Sequence, residues 1–423
     1  MRIGIIGCGI AGQASAIALA RSGHDVTIVE RFPQARPVGA GLLLQPSGQQ
    51  ALARLGLLHG ALSWGARIER LYGRTTRQRM VMDLRYGALG EGMFGLGIHR
   101  AALFDLLHGA LKETTARLLL DYEVAAIEPV GQPFLVARDG RKEGPFDLVI
   151  DCAGAHDALR GSFPQHLSAP LNPWGAVWTT CRDRTGAFGD ELRQVYRGPD
   201  MMIGILPVGR VPGSPCEDRH VALFWSLKLA AYERLRAEGL ASLKARICEA
   251  WPEAAPIVED IAHFEDLTLA SYRDVRMKPW HAGRVLAIGD AAHGTSPQLG
   301  QGANLALIDA VVLADVLDRS KDVDDAIAAY ERARRSHVNF YQLGSRFLTP
   351  FFQSDVRALG FLRDLLLGPM GKLPVVDHVM RTTLAGVRRF PFGLYQPPIP
   401  STQKVQAAAQ ADGDDVARIA QEQ

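Results

Sequence analysis

The sequence predicts an α/β fold in which a domain of parallel strands and helices is interleaved with a mostly antiparallel sheet and followed by C-terminal helices. Three observations support this prediction. An apolar strand pattern at residues 3–6 leads into a glycine-rich turn, a helical stretch and a second strand pattern. Residues 171–270 contain four short strand patterns separated by turn-forming residues. Residues 323–389 have mostly helical periodicity.

The N-terminal segment has the order of a dinucleotide-binding βαβ unit: strand, glycine turn, helix, strand and acid. Gly7 permits the tight bend off the strand, Gly9 lets the backbone approach a pyrophosphate, and Gly12 lets the helix pack closely on the strand. Ala11 belongs to the same turn and is counted among the cofactor-binding residues. The helix, at residues 13–21, offers free N–H groups and a positive dipole end to the phosphates.

Glu30 ends the second strand of this unit, at residues 25–29. Its carboxylate can accept a hydrogen bond from a ribose hydroxyl, and its charge would repel a 2′-phosphate. The unit therefore favours FAD or NAD over NADP. The glycine spacing and Glu30 also argue against a cleaved signal peptide at the apolar N-terminus.

The composition is that of an ordinary globular protein, with 423 residues, 47% of them hydrophobic, and a net charge of +2. This charge gives no reason to expect a nucleic acid or an anionic membrane as a partner. The five cysteines are scattered and form no CxxC pair, which argues against a metal site, a disulfide framework and a dithiol redox centre. No run of about 18 apolar residues predicts a membrane span. We therefore expect a cytoplasmic protein.

The remaining elements follow from periodicity and turn residues. Up to residue 150 we predict a Pro/Gly-rich loop at residues 31–41, an extended segment at 42–45, a helix at 48–58 and a strand-and-turn region at 64–98. A helix at 99–111 and strands at 117–128, 133–138 and 146–150 follow. Later strands are predicted at residues 176–182, 192–196, 201–206, 221–227 and 283–288, and helices at 230–237, 240–250 and 302–318.

These elements predict a discontinuous nucleotide-binding domain with a second domain inserted into it. The predicted parts are residues 1–170 and 271–330 for the first domain, a strand segment near 64–98 that joins the second domain's sheet, residues 171–270 for the substrate-binding β domain, residues 331–400 for C-terminal helices, and an extended cap at 391–400. We expect the Ala-, Gln- and Asp-rich tail at residues 401–423 to be disordered.

A second motif, GDAAHGTSPQLGQGAN, follows the strand that returns to the first domain. The strand delivers Asp290 to the tip of the sheet, where its carboxylate can accept from hydroxyls such as those of a ribityl chain. Gly300, Gly302 and Ala303 let the backbone approach a flat ligand. The helix that begins near Gly302 points N–H groups at that ligand and would stabilise negative charge on a reduced isoalloxazine ring. Asn304, in the first turn, can bond either the ligand or the backbone.

With both motifs in place, the chain resembles the single-component FAD-dependent aromatic hydroxylases, of the p-hydroxybenzoate and salicylate hydroxylase type. The matching stretches keep order and spacing over most of residues 1–330; they are the turn at residues 7–12 with Glu30 and Arg31, the GAG triplet at 39–41, His99 with Arg100 before a helix, and residues 289–304. At the adenosine end, the resemblance implies that Glu30 binds the ribose, Arg31 lies by the adenine and Val124 offers backbone to the adenine.

Toward the flavin, the resemblance implies that Arg100 reaches the FAD sugar or phosphate region and that Asp290 holds the ribityl or pyrophosphate end. The loop at residues 297–300 would lie against the flavin ring. A substrate pocket is then expected between this loop and the sheet of the second domain. Its candidate residues, each of which also fits an ordinary packed position, are Gln45, Tyr196, Met202, His220, Trp225 and Pro297. His293 fits either a flavin contact or a packed histidine.

One position departs from the family pattern. The family usually carries an Asp-Gly pair after the strand at residues 146–150, and Ala153 stands where that Asp is expected. Asp151 and Asp157 are near but out of register, whereas Arg160 matches the pattern and also fits an ordinary surface arginine. Because the family's Asp is associated with nicotinamide use, its replacement questions reduction by NADH or NADPH.

The resemblance implies an FAD-dependent monooxygenase. NADH or NADPH would reduce the flavin, dioxygen would form a flavin C4a-hydroperoxide, and one oxygen atom would pass to a small aromatic or heteroaromatic substrate without a metal. The sequence identifies no catalytic residue, and it fits a monomer or a homodimer. Two alternatives stay open: a flavin oxidase or reductase without oxygen insertion, which Ala153 favours, and a non-enzymatic FAD-binding protein. The lack of a second GxGxxG unit argues against enzymes with a separate NADPH domain.

Overall fold

The structure, a computed structural model, describes residues 1–37, 39–128, 131–156, 159, 163, 166–390 and 393–395. The predictions for Asp157, for Arg160, for most of the cap at 391–400 and for the tail at 401–423 concern residues outside these ranges. Within the described ranges, no helix combines the length and the apolar character that crossing a bilayer requires.

The chain alternates strands and helices up to residue 319 and is mostly helical afterwards, as the periodicity predicts. The strands are β1 (Arg2–Ile6), β2 (Asp25–Val29), β3 (Gly41–Leu44), β4 (Ala66–Ile68), β5 (Arg70–Thr75), β6 (Met80–Arg85), β7 (Gly95–His99), β8 (Arg117–Leu119), β9 (Val124–Glu128), β10 (Phe134–Ala137), β11 (Lys142–Glu143), β12 (Leu148–Asp151), β13 (His166–Ser168), β14 (Leu171–Arg182), β15 (Glu191–Arg197), β16 (Met201–Gly209), β17 (His220–Lys228), β18 (Thr268–Arg273), β19 (Arg276–Met277), β20 (His281–Ala282), β21 (Val285–Ala287), β22 (Arg388–Arg389) and β23 (Gly393–Leu394). The helices are α1 (Ile10–Arg21), α2 (Pro46–Arg54), α3 (Leu58–Trp64), α4 (Arg100–Lys112), α5 (Tyr232–Ala250), α6 (Ala255–Glu259), α7 (Asp290–His293), α8 (Gly302–Arg319), α9 (Val323–Phe352), α10 (Arg357–Met370) and α11 (Pro374–Leu384). Non-helical backbone at Gly239, with φ of 83°, interrupts α5 between the two helices that the sequence predicts there.

A six-stranded sheet, ordered β20-β21-β12-β1-β2-β8, carries the glycine turn. All its strands run parallel except β20, which pairs antiparallel with β21. In register, Ile6 lies beside Asp151, and Asp151 lies beside Ala287. Because the carboxyl ends of β1, β12 and β21 meet at one edge, the loops that follow them are brought together although they are far apart in sequence.

A seven-stranded sheet, ordered β18-β14-β17-β16-β15-β5-β6, forms the second layer. Its pairs are antiparallel except for β15 with β5. β5 and β6 come from the segment near residues 64–98, and β4 and β7 of the same segment pair with each other in a three-stranded sheet with β3. The domain boundaries drawn from the sequence stay a prediction.

The two faces of the seven-stranded sheet cover different parts of the molecule. One face packs on α5 and α6, and Trp225 is buried there. The other face lies against β3, since a Cβ built at Gly41 would be 2.5 Å from Val208 Cγ1 and 2.6 Å from Ala222 Cβ.

The C-terminal helices close one end of the space between the two sheets. The turn after α11 is fixed to the beginnings of α2 and α8. The Ser47 N–H donates to the Ala385 carbonyl at 3.2 Å, and Gln301 Nε2 donates to the Leu384 carbonyl at 2.8 Å. These two bonds place the end of the helical region over the starts of both helices.

Candidate functional site

The turn after β1 has the geometry that close approach of a ligand requires. Gly7 has a φ of +95°, which favours glycine, and its N–H donates to the Val29 carbonyl at 2.8 Å. A Cβ at Gly12 would lie 1.9 Å from the Gly7 carbonyl oxygen, so α1 packs on the turn only because residue 12 has no side chain. A Cβ at Gly9 would meet no atom within 4 Å, which leaves the N-terminus of α1 open.

Glu30 stands at the carboxyl end of β2, beside the same turn. Its carboxylate accepts from the Cys8 N–H at 2.8 Å and from the Phe32 N–H at 3.2 Å. These bonds hold the carboxylate at the edge of the turn. Arg31 is exposed at this edge, with its guanidinium 4.6 Å from the Phe32 ring centre. Val124 is partly buried at the start of β9.

α8 begins at the same opening as α1. Asp290 is exposed, and its Oδ1 lies 3.6 Å from the point where a Cβ at Gly302 would be. A Cβ at Gly289 would lie 3.2 Å from Ala11 Cβ, so the turn before Asp290 packs against the first turn of α1. Gly9, Asp290 and Gly302 are all exposed. Two helix N-termini therefore open into one cleft, and each offers N–H groups that have no partner within its helix.

Arg100 lies beside this cleft. Its N–H donates to the Ala40 carbonyl at 2.7 Å, and a Cβ at Gly39, whose φ is +102°, would lie 3.2 Å from its Nε. The side chain reaches solvent but is ringed by protein, and this loss of hydration lowers the pKa of the guanidinium; Asp290 and Tyr272 act in the opposite direction. Arg100 therefore stands near both the Asp290 carboxylate and the Tyr272 hydroxyl of β18.

Asn304 bonds the backbone, which is one of the two roles that the sequence left open. Its Oδ1 accepts from the Gln45 N–H at 2.8 Å, and its Nδ2 donates to the carbonyls of Leu43 at 3.2 Å and Gly300 at 3.0 Å. The buried amide ties the end of β3 to the start of α8. It thereby fixes the backbone around Ala303, which is partly buried at the edge of the cleft.

A buried charge network, which the sequence analysis missed, supports the turn before Asp290. The carboxylate of Asp309 in α8 accepts from the Gly289 N–H at 2.9 Å and from Arg334 Nε at 2.7 Å, and it contacts His293 Nε2 at 2.7 Å. Burial acts to raise the pKa of Asp309, but Arg334 and His293 outweigh it and hold the pKa well below its usual value. His293 thus occupies a packed position. The available signal was an aspartate within the apolar stripe of a helix.

Unpartnered polar atoms gather where α2 and α8 begin. Gln45 is buried, and its Oε1 accepts from the Tyr86 hydroxyl at 2.6 Å, whereas its Nε2 has no hydrogen-bond partner among the described residues. Ser47 Oγ and Gln301 Oε1 are in the same situation, and a Cβ at Gly386 would lie 1.9 Å from the first and 3.1 Å from the second. Because buried polar groups are normally satisfied, these atoms mark a place where a further polar partner is expected.

The loop before α8 is a single helical turn at Pro297–Leu299 that ends at Gly300, whose φ of +60° is left-handed. Pro297 and Gly300 are both exposed. Ser296 Oγ pairs with Thr349 Oγ1 of α9 at 2.6 Å. α9 therefore anchors the loop that the sequence analysis expects beside a flavin ring.

Three aromatic side chains on β14, β17 and β18 form a wall on the sheet face turned toward β3. The ring centres of Trp178 and Phe224 are 4.8 Å apart, and Trp178 Nε1 donates to the Tyr272 hydroxyl at 3.4 Å. Burial raises the pKa of Tyr272, against the effects of the Trp178 hydrogen bond and of Arg100. Since the hydroxyl oxygen accepts from Trp178, its hydrogen is directed elsewhere and can be donated to a ligand. We name this group the aromatic wall.

The pocket candidates named from the sequence are divided between the two sheet faces. Met202 pairs with Tyr196 across β16 and β15, on the face that carries the aromatic wall. Tyr196 is covered there, with its hydroxyl 2.6 Å from Gln194 Oε1 and the Arg363 guanidinium 4.7 Å from its ring centre. Trp225 pairs with Ile203, the residue after Met202. Trp225 therefore lies on the opposite face, under α5 and α6. Strand alternation alone separates these two positions.

His220 is buried near a second histidine, His99, which caps α4. His99 Nδ1 accepts from the Ala101 N–H at 3.2 Å, so its Nε2 carries the hydrogen in the neutral ring and donates to Thr180 Oγ1 at 3.1 Å. Burial lowers the pKa of His99 to about 4, and the nearby His220 and Arg100 add to this effect. The neutral ring therefore fixes the start of α4, and with it the position of Arg100.

The position that departs from the family pattern is exposed. Ala153 follows β12, and its N–H donates to Asp151 Oδ1 at 2.9 Å. Asp151 is buried, so its carboxylate does not take the place of an exposed aspartate at residue 153. Among the described residues, no three His, Cys, Asp or Glu side chains converge as metal ligands.

An extended dinucleotide with a flat ring fits the cleft. Gly9 leaves open space at the start of α1, Glu30 and Asp290 place carboxylates near the two helix starts, and buried polar atoms without partners among the described residues gather where α2 and α8 begin. The sequence profile of the FAD binding domain matches residues 1–340. The chain belongs to this family.

This flavoprotein has relatives of similar length. It is 27% identical over 373 residues to the FAD-dependent urate hydroxylase of Klebsiella pneumoniae, an alignment that covers 82% of this chain and 89% of that protein. It is 28% identical over 423 residues to the kynurenine 3-monooxygenase of Salinispora arenicola, covering 90% of this chain and 88% of that protein. This flavoprotein is an FAD-dependent monooxygenase of the aromatic-hydroxylase-like group.

A solved structure confirms the fold of the flavoprotein. The structure of Klebsiella pneumoniae HpxO complexed with FAD and uric acid has a TM-score of 0.76 and 21% identity, and covers 91% of this chain and 97% of that chain. At this identity the likeness supports the architecture of sheets and helices, and the assignment of individual site residues rests on the geometry above.

Proposed function

We propose that this flavoprotein hydroxylates a small heteroaromatic compound, with NADH or NADPH as electron donor and dioxygen as the oxygen source. The observation that carries the proposal is the aromatic wall of Trp178, Phe224 and Tyr272 beside Arg100 and the two helix N-termini. A flat apolar wall with one hydroxyl suits a planar ring that bears a polar group. Two relatives are named for small nitrogen-containing compounds, urate and kynurenine, which supports this substrate class.

The same proposal assigns the cofactor contacts. The N-terminus of α1 at Gly9 would bind the pyrophosphate of FAD, Glu30 the adenosine ribose and Asp290 the ribityl hydroxyls. The start of α8 at Gly302 would face the flavin ring, and Arg100 the neighbouring sugar or phosphate. Arg31 and Val124 would flank the adenine. The exposure of Gly9, Arg31, Arg100, Asp290 and Gly302 supports these assignments.

Bound FAD would supply electron transfer from the nicotinamide and activation of dioxygen. The chain's own task is to orient the substrate and to keep water out. The turn after α11 covers the starts of α2 and α8 through the bonds of Ser47 and Gln301. The Tyr272 hydroxyl would donate to an oxygen or ring nitrogen of the substrate and so fix the ring position that faces the flavin.

A flavin oxidase or reductase without oxygen insertion is the second candidate. Ala153 favours it, because no exposed carboxylate follows β12 at the position associated with nicotinamide use. The relatives named as a hydroxylase and a monooxygenase favour the monooxygenase. The two candidates differ in whether oxygen is found in a product.

A cytoplasmic location belongs to the same proposal. All five cysteines are free thiols, and Cys216 is exposed. Exposed unpaired thiols persist in a reducing compartment. Fractionation of the native host, with activity measured in each fraction, tests this point; activity confined to an oxidising compartment would refute it.

The purified FAD-loaded protein tests the function. NADH and NADPH oxidation would be followed in air with a panel of purines, pyridines, quinolines, aminobenzoates and phenols. We expect at least one nitrogen-containing ring compound to accelerate oxidation many-fold and to yield a product heavier by one oxygen atom. Hydrogen peroxide equal to the nicotinamide consumed, with every compound unchanged, would refute oxygen insertion. Peroxide formed while one of the compounds is oxidised and no nicotinamide is consumed would support the oxidase. A flavin that no nicotinamide reduces, with or without the compounds, would refute the proposed electron donor.

A further inference from the structure

A pocket outside the cleft lies between α9 and β20, the edge strand of the six-stranded sheet. Its volume is about 550 Å³, a size typical of small-molecule sites. Its lining residues on α9 recur every three or four positions from Ala328 to Asn339, so they lie along one side of the helix. His281 of β20 and Phe390, which follows β22, complete the lining. We call this space the α9 pocket.

The α9 pocket is separate from the buried network that supports the turn before Asp290. Arg334 lies on the inner side of α9, where it is fully buried and its Nε donates to Asp309 Oδ1 at 2.7 Å. Arg332 and Asn339, which line the pocket, are exposed instead. The network therefore uses the other side of α9 and none of the residues that line the pocket.

Positive charge predominates in the α9 pocket. Glu331 is the only carboxylate among the described residues that line it, and both of its oxygens are already bonded. Its Oε1 accepts from the Trp280 N–H and its Oε2 from Arg335 Nη2, while the Arg335 guanidinium lies 5.4 Å from the Trp280 ring centre. Arg332 has no hydrogen bond or ion pair within the described part of the chain. Its charge is therefore uncompensated and available to an anion.

The rest of the lining supplies neutral hydrogen-bonding groups and a flat ring. The Nδ1 atom of His281 is buried and has no hydrogen-bond partner among the described residues, and the Asn339 amide is exposed. The Phe390 ring is exposed as well, but its backbone is fixed to α9. Ser336 Oγ donates to the Phe390 carbonyl at 2.6 Å, and the Phe390 N–H donates to the Ser336 carbonyl at 3.1 Å. The pocket thus offers a charge, polar groups and a positioned aromatic side chain.

We propose that the α9 pocket binds a small aromatic carboxylate. The planar guanidinium of Arg332 matches a carboxylate with two parallel N–H groups, and the Asn339 amide and His281 Nδ1 can donate to it as well. The Phe390 ring would pack against the aromatic part of the ligand. A cation would be repelled by Arg332, and an inorganic anion would leave the Phe390 ring in water. The site does not depend on the reaction at the flavin cleft.

Titration of the full-length, FAD-loaded protein with 4-fluorobenzoate, followed by the ¹⁹F line width, tests the proposal. We expect a Kd of about 1 mM or lower, and binding of the neutral 4-fluorobenzamide at least ~10-fold weaker because it lacks the charge. Arg332→Gln should raise the Kd for 4-fluorobenzoate at least ~10-fold through loss of the charge-assisted pair. Ala328→Glu should raise it at least ~10-fold too, because a carboxylate four residues before Arg332 pairs with it and repels the ligand. Arg236→Gln is the matched control, since Arg236 is an exposed arginine of α5 that does not line the pocket.

Flavin absorbance and circular dichroism should be unchanged in all three variants, because Gln and Glu are good helix formers and none of the replaced side chains is fully buried. A probe bound in the flavin cleft would bind equally to all four proteins. Unchanged binding in both Arg332→Gln and Ala328→Glu would therefore overturn the proposal. A wild type that does not broaden the 4-fluorobenzoate signal, or that binds 4-fluorobenzamide as tightly, would overturn it as well.

Discussion

The substitutions Gly9→Ala and Gly12→Ala distinguish the proposed cofactor role of the glycine turn from its structural role. The backbone at Gly9, with φ of −80° and ψ of −167°, is accessible to alanine, and a Cβ there would meet no protein atom within 4 Å. Gly9→Ala should therefore fold. Gly12→Ala should not fold normally, because its Cβ would lie 1.9 Å from the Gly7 carbonyl oxygen.

The magnitudes follow from these distances. Alanine caps a helix less well than glycine, so Gly9→Ala should lower the free energy of unfolding of the apoprotein by about 1 kcal/mol or less. The methyl group would stand where we propose that the pyrophosphate binds, so FAD affinity should fall by about 10- to 100-fold, or about 1.4–2.8 kcal/mol. In Gly12→Ala, α1 must move by about 1 Å from the turn, which should cost about 1–3 kcal/mol or more.

Gly109→Ala is the matched control. Gly109 lies inside α4, has no atom within 4 Å of its missing Cβ, and should gain up to about 1 kcal/mol of stability as alanine without any change in FAD affinity. FAD affinity would be measured by quenching of flavin fluorescence on titration into the apoproteins, and stability by urea unfolding of the same samples. If Gly9→Ala binds FAD as tightly as Gly109→Ala does, the cleft at the start of α1 is not the pyrophosphate site.

Three further outcomes are expected. Tyr272→Phe should lower kcat/KM for the substrate about 10-fold through loss of one hydrogen bond, with FAD content unchanged; an equal fall in FAD affinity would show that Tyr272 serves the cofactor instead. Asp309→Asn should lower the free energy of unfolding by about 3–5 kcal/mol, because it leaves a buried arginine charge unbalanced, whereas exposed Asp318→Asn should change it by less than about 0.5 kcal/mol; similar values in urea unfolding would contradict the network. The pKa of His99 is about 4 in the folded chain and about 6.5 unfolded, so the unfolded state binds more protons between these values. Stability should therefore fall as the pH is lowered from 6.5 to 4, and less steeply in His99→Gln; an unchanged slope would count against a buried neutral ring.

The sequence predicted the fold because the local patterns were strong. β2 has the bounds that the sequence predicts, and β1 differs from its prediction by one residue. The sequence also predicted that β21 returns to the first sheet, where it pairs with β12. The signal was a strand pattern followed by a glycine and an aspartate, which is typical of the sheet edge where a nucleotide binds. Each of these features depends on residues that are close together in the sequence, so local patterns are enough to predict it.

The residues of the substrate site were harder to predict from the sequence, for a physical reason. The aromatic wall joins Trp178, Phe224 and Tyr272, which come from three strands and meet only through the pairing of the sheet. Alternation along β17 would have placed Phe224 and Trp225 on opposite faces, and the sequence analysis named the one that lies under α5 and α6. Which face is turned toward the cofactor depends on the packing of the whole sheet.

The buried network around Asp309 was missed for a related reason. An aspartate in an apolar stripe signals a buried partner, but that partner, Arg334, is on the following helix. The sequence did not decide whether Asn304 bonds the ligand or the backbone. Its Nδ2 donates to one carbonyl on a strand distant in sequence and to another in the preceding loop. Long-range partners of this kind become visible only when the helices are packed.

Oxygen transfer to a substrate tests the central claim most directly. The FAD-loaded protein would be supplied with NADH or NADPH, the compound that most accelerates nicotinamide oxidation, and ¹⁸O₂ in place of air. The account predicts one ¹⁸O atom in each molecule of product and less hydrogen peroxide than nicotinamide consumed. Hydrogen peroxide equal to the nicotinamide consumed, with no labelled product, would contradict it and leave a flavin oxidase.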